Sequence, residues 1–112
     1  MTTERELLEL AAKACGLIPT EFEGSDDFMF GVLSWFKPHL DDGDCARMEA
    51  ALEINLRWHT KDVHVKSLLS GSEWYEKFSD HAGDKNAARR AASLAVATEI
   101  GRALRAALGE KP

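Results

Sequence analysis

Residues 28–36 constrain the fold of this 112-residue chain more than any other stretch. Phe28-Met29-Phe30-Gly31-Val32-Leu33 is apolar without a break, and Trp35-Phe36 follows after one serine. In an extended chain, Phe28, Phe30, Val32 and Phe36 fall on one face, and Met29, Leu33 and Trp35 on the other. A strand apolar on both sides has to be covered above and below, because an open face would expose a large greasy patch. Pro38 stops the strand. The acidic passage Leu40-Asp41-Asp42-Gly43-Asp44 then opens a helix. Asp41 or Asp42 caps its free backbone N–H groups, and Asp44 favours its positive end.

The remaining elements follow from spacing. Thr3 and Glu6 form a capping box ahead of Leu7, Leu10, Ala11 and Ala14, so a helix is predicted over residues 4–15, stopped by Gly16 and Pro19. Residues 16–27 read as loop, with a short strand as an option at Glu21-Phe22-Glu23. The helix after Pro38 is predicted over 42–53, with Cys45, Met48, Ala51 and Leu52 as its apolar stripe.

Ile54, Leu56 and Trp58 alternate with polar neighbours, as do Val63 and Val65. A turn centred on Lys61-Asp62 would pair Trp58 with Val65 and His59 with His64, placing every apolar residue on one side. Trp74 to Phe78 is expected to add a third strand. Asp84 caps a long alanine-rich helix over 85–108. Its arginines, Arg89, Arg90, Arg102 and Arg105, fall on no single stripe, so its buried face cannot be assigned from spacing.

The order helix, strand, helix, three strands, helix predicts a single α+β domain spanning residues 1–112, with a small antiparallel sheet of three to four strands and helices on both faces. A chain of this length builds its core without disulfides, and Cys15 and Cys45 read as reduced thiols.

Three segments, in order, resemble the phage ABA (alpha-beta-alpha) sandwich domain of small phage and prophage proteins. They are residues 5–14, the Trp35…Pro38…Leu40-Asp41-Asp42-Gly43-Asp44 passage, and Ala87-Ala88-Arg89-Arg90-Ala91-Ala92 with Ala97-Thr98-Glu99-Ile100-Gly101. The chain departs from that pattern in carrying Phe36-Lys37 before Pro38, and His39 between Pro38 and Leu40. The resemblance implies a three-layer alpha-beta-alpha sandwich of phage or prophage origin. It carries no catalytic residues.

Charge narrows the function. The net charge is −5, but residues 1–56 hold 12 acids and 4 bases, and residues 57–112 hold 7 acids and 10 bases. General polyanion binding is disfavoured, while a local basic face on the C-terminal half is allowed. Asp41, Asp42 and Asp44 could hold a divalent cation, but capping accounts for all three. His59 and His64 could share a zinc ion across the hairpin, but two ligands are not a site. A third would have to come from His39, His81 or an acid that the sequence does not place there, and Arg57 and Lys66 would repel the cation. No nucleophile elbow and no glycine-rich phosphate loop occurs.

No catalytic, cofactor or metal residue is therefore assigned. The expectation is a non-enzymatic protein-interaction module of the bacterial cytoplasm with no membrane partner, and Trp35, Trp74, Tyr75, Arg89 and Arg90 are its candidate surface. The alternatives are nucleic-acid binding through Arg57, Lys66, Lys77, Arg89 and Arg90 with nearby aromatics, and a metal-dependent hydrolase. The alanine-rich helix could also serve as a homodimer seam.

Overall fold

The computed structural model describes residues 4–16 and 36–107. It has three helices, α1 (Glu4–Ala14), α2 (Asp42–Ala51) and α3 (Lys85–Ala107), and three strands, β1 (Ile54–Trp58), β2 (Asp62–Ser67) and β3 (Glu73–Lys77). A short 3₁₀ turn, Phe78–His81, joins β3 to α3. The fold is α+β, with an antiparallel sheet in the order β1-β2-β3 and helices packed on it. Of the strand expected over residues 28–36, only Phe36 is described. It is buried among α1, α2 and α3 at 2% exposure. The rest of that strand and the option at 21–23 lie outside the described residues.

The acid-rich entry to α2 is a set of local closures. Asp41 caps the helix, its Oδ1 accepting from Asp44 N at 2.9 Å. Asp44, nearly buried, accepts from Lys37 N at 3.0 Å and from the Arg47 guanidinium, which fastens the turn containing Pro38 to the helix. Burial alone would raise the Asp44 pKa, but the Lys37 hydrogen bond and Arg47 outweigh it and hold the carboxyl below its ordinary value. A carboxylate with a depressed folded pKa stabilises the fold above its unfolded value. That contribution is lost as pH falls through the folded value. Stability measured by urea titration should therefore drop on acidification below about pH 4. Asp44→Asn should flatten that part of the profile, and an unchanged profile would rule Asp44 out as its source.

The hairpin differs from expectation by two residues. Trp58 pairs with Val63 and Arg57 with His64, so the loop tightens to Thr60-Lys61. Two contacts close it: His59 N donates to Asp62 O at 2.9 Å, and His59 Nδ1 lies 3.1 Å from Asp62 Oδ1. A slip of two keeps every side chain on its face, so the alternation could not detect it. The register also sets Ser67 opposite Ile54, where Ser67 Oγ donates to Leu52 O at 2.8 Å and ties β2 to the end of α2. β3 ends one residue sooner than expected, because Phe78 turns inward and packs with Val63, Val65 and Ala88.

α3 is the centre of the molecule. Ala88, Ala92 and Val96 pack on Val63 and Val65 of the sheet. Leu94 and Ala97 pack in a second core with Leu8, Ala11 and Ala12 of α1 and Cys45 and Met48 of α2. A helix buried on two sides has no single apolar stripe, which is why its sequence shows none. Small residues make the approach possible: a Cβ built on Gly101 would lie 2.2 Å from Leu10 O. α1 packs chiefly on α3, behind the sheet, and α2 touches α3 and β1. The helices thus serve the Val63 and Val65 face. The opposite face carries Arg57, His64, Lys66 and Tyr75, and no described helix core includes it. Among the described residues, helices pack on the Val63 and Val65 side of the sheet.

Candidate interaction surfaces

Trp74 and Tyr75, two of the candidate surface aromatics, point to opposite faces of β3. Trp74 pairs with Val65 and so lies on the α3 side, whereas Tyr75 pairs with His64 on the outer side. Adjacent residues of a strand cannot share a face. Trp74 is 48% exposed, and its Nε1 donates to Glu76 Oε1 at 2.8 Å. Trp58 keeps its expected face, with its ring 6.1 Å from that of Phe78.

Arg89 and Arg90 are engaged within the fold. Arg89 binds the carboxylate of Glu49, which is 7% exposed, with Nε at 3.0 Å from Oε2 and Nη2 also in contact. Ser93 Oγ donates to the same oxygen at 2.6 Å. Arg90 Nε donates to His39 O at 3.1 Å, and its Nη1 to Asp42 Oδ1 at 2.6 Å. These arginines hold α3 against α2 and the Pro38 turn, and neither presents a free charge to a partner. Trp35 lies outside the described residues.

The candidate metal ligands are likewise partnered. Asp41, Asp42 and Asp44 serve as cap, Arg90 partner and turn anchor. His64 Nε2 lies 3.4 Å from Glu73 Oε2, and His81 Nε2 lies 2.8 Å from Glu76 Oε2. Among the described residues, no three His, Cys, Asp or Glu side chains come together in a way that could hold a metal. Both cysteines are free thiols. Burial pushes Cys15 up to about 11. Cys45 is pushed up to about 12 by burial and by the neighbouring Glu49. Neither is a ready thiolate at neutral pH.

Two surfaces remain. The first is a groove of about 490 Å³ along the part of α3 that neither the sheet nor α1 covers. Ala87, Ala91 and Ala95 floor it, Trp74 and His81 stand on the β3 side, and Leu7 and His39 on the other. A volume of about 300–1,000 Å³ is usual for a ligand cleft, and the lining is mostly apolar. Sequence reasoning missed this groove. Its signal was present as small residues at i, i+4 and i+8 of α3, but such spacing also suits a packed face. Next to the groove, β3 is an edge of the sheet among the described residues.

The second surface is the outer face of the sheet. Tyr75, 55% exposed, stacks on His64 with ring centroids 4.3 Å apart and planes 23° from parallel. Arg57 pairs with His64 from the other side. Lys66 lies opposite Glu73, and Lys77 opposite Asp62.

Comparison with known proteins returns no matching family model, no matching curated protein and no matching solved structure. Among the described residues, no helix is long and apolar enough to cross a membrane.

Proposed function

We propose that this chain is a small non-enzymatic binding module that takes an extended segment of a protein partner beside β3. The observation that carries the reading is the apolar groove along Ala87, Ala91 and Ala95, directly alongside a sheet edge. An edge strand offers unpaired backbone donors and acceptors to an incoming chain. A segment paired there would direct alternate side chains into the groove, so backbone bonds would supply affinity and the groove specificity. The occupant is accordingly a peptide with apolar residues at every second position. Phage or prophage origin and a bacterial cytoplasmic setting belong to the same proposal. They rest on the likeness of the Trp35 to Asp44 passage and the two helical segments.

Selection from a random-peptide library, followed by NMR titration of the winners, tests it. The expected winners alternate apolar and polar residues and shift the amides of 73–77 and the Trp74 indole. Ala91→Glu, which puts a charge on the groove floor, should weaken them at least about tenfold, the cost of burying an unpaired charge being well above 1.4 kcal/mol. Winners that map elsewhere, or bind the Ala91→Glu variant as well as the parent, would remove the reading.

A further inference from the structure

We propose that the outer face of the sheet binds single-stranded nucleic acid, by stacking bases on the Tyr75–His64 pair and neutralising phosphates with Arg57, Lys61, Lys66 and Lys77. This surface and partner are separate from the groove beside β3.

The chain as a whole carries −5, yet this face carries Arg57, Lys66 and Lys77, with Lys61 in the adjoining turn, against two carboxylates, Asp62 and Glu73. Both carboxylates are turned toward histidines: Asp62 Oδ1 to His59 at 3.1 Å, and Glu73 Oε2 to His64 at 3.4 Å. The lysines opposite them, Lys66 and Lys77, make no ion pair among the described residues, and neither do Arg57 and Lys61. In contrast, Arg89 and Arg90 are neutralised inside the fold. The basic character of the C-terminal half therefore appears here, on the sheet.

The second observation is the ring pair. Tyr75 and His64 stand side by side on adjacent strands, and Tyr75 remains more than half exposed. His59 adds a third ring, its centroid 6.3 Å from that of Tyr75. An exposed aromatic on a sheet, ringed by cations, is a platform for unstacked bases, whose π-faces are available only in single strands. Beyond the Tyr75 row, the face ends at a depression of about 540 Å³ lined by Thr60, Lys61, Asp62, Lys77, Phe78 and Ser79. Two of the four cations and two hydroxyls converge there, which suits a phosphate next to the stacked base. Acidity over the rest of the surface confines the footprint to this face and disfavours a long duplex.

Fluorescence anisotropy with labelled eight-nucleotide oligo-dT and oligo-U at 50 mM salt is the test. Binding of either is expected, and the comparison shows whether deoxyribose or ribose is preferred. With four phosphates neutralised, log K should fall with log salt at a slope of about −3, or roughly fiftyfold between 50 and 200 mM. Tyr75→Ala should weaken binding at least about fivefold, consistent with the loss of one stacked base, while Tyr75→Phe retains it. Lys66→Ala with Lys77→Ala should bring the slope to about half its magnitude. All three variants alter exposed side chains, and circular dichroism confirms that they fold. No binding at 50 mM, indifference to Tyr75→Ala, or equal competition by a polyglutamate peptide would each overturn the proposal, the last pointing to an acidic-peptide site.

Discussion

Arg89→Ala is expected to cost about 3–5 kcal/mol, because it leaves the Glu49 carboxylate buried without its cation. Glu49 and Arg89 are both well covered, and the carboxylate also takes the Ser93 hydroxyl, so no water shell is at hand to replace the guanidinium. For a domain of this size the loss is a large part of a total of about 5–15 kcal/mol. The measurement is urea unfolding of the parent and variant at neutral pH. A second variant separates unpaired charge from lost packing: Glu49→Leu with Arg89→Met removes both charges and should recover most of the stability. If the double variant is as weak as Arg89→Ala, the charge argument fails, and packing between α2 and α3 is the larger effect.

Gly101→Ala should also destabilise, against the usual preference of a helix. Alanine inside a helix is worth about 1 kcal/mol over glycine. At Gly101, however, the new methyl would meet Leu10 O at 2.2 Å and Leu10 Cα at 2.9 Å. The obstacle is backbone on both sides, so α1 has to move off α3 and disturb the core of Leu8, Ala11 and Ala12. Overpacking of this kind costs up to about 3 kcal/mol, which outweighs the propensity gain. The net loss of about 2 kcal/mol corresponds to a fall in Tm of roughly 10 °C. A variant that melts at or above the parent would mean that the two helices do not cross this closely.

Local chemistry was readable from the chain wherever a single side chain decides an outcome. Asp41 and Asp84 cap the helices assigned to them, with Asp84 Oδ1 accepting from Ala87 N at 3.0 Å. The starts and stops of α1, α2 and α3 fall within one or two residues of expectation. The three strands and the apolar face of the hairpin were legible from alternation. Register was not, since Val63 and Val65 satisfy either pairing.

What escaped the sequence depends on distant partners. Arg89 is 40 residues from Glu49, and Arg90 is 48 from Asp42, so both looked like free surface cations. The groove exists because neither the sheet nor α1 reaches the Ala87, Ala91 and Ala95 stripe, and no local pattern distinguishes an uncovered alanine row from a packed one. The candidate surface was drawn from residue types, and alternation along β3 alone would have split Trp74 from Tyr75. The strand over 28–33 falls outside the described residues, so the layering argued from it rests on the apolar residues on both of its faces.

Having α3 as the hub sets the order in which this protein can acquire structure. Thr98 reaches back 91 residues to Leu7, and among the described residues Val63 and Val65 gain their helical cover only when Ala88 and Ala92 arrive. During synthesis, therefore, α1 is made long before its chief packing partner, and the hairpin waits with its apolar side largely uncovered. Neither core can close until α3 is made, so collapse should be late and concerted.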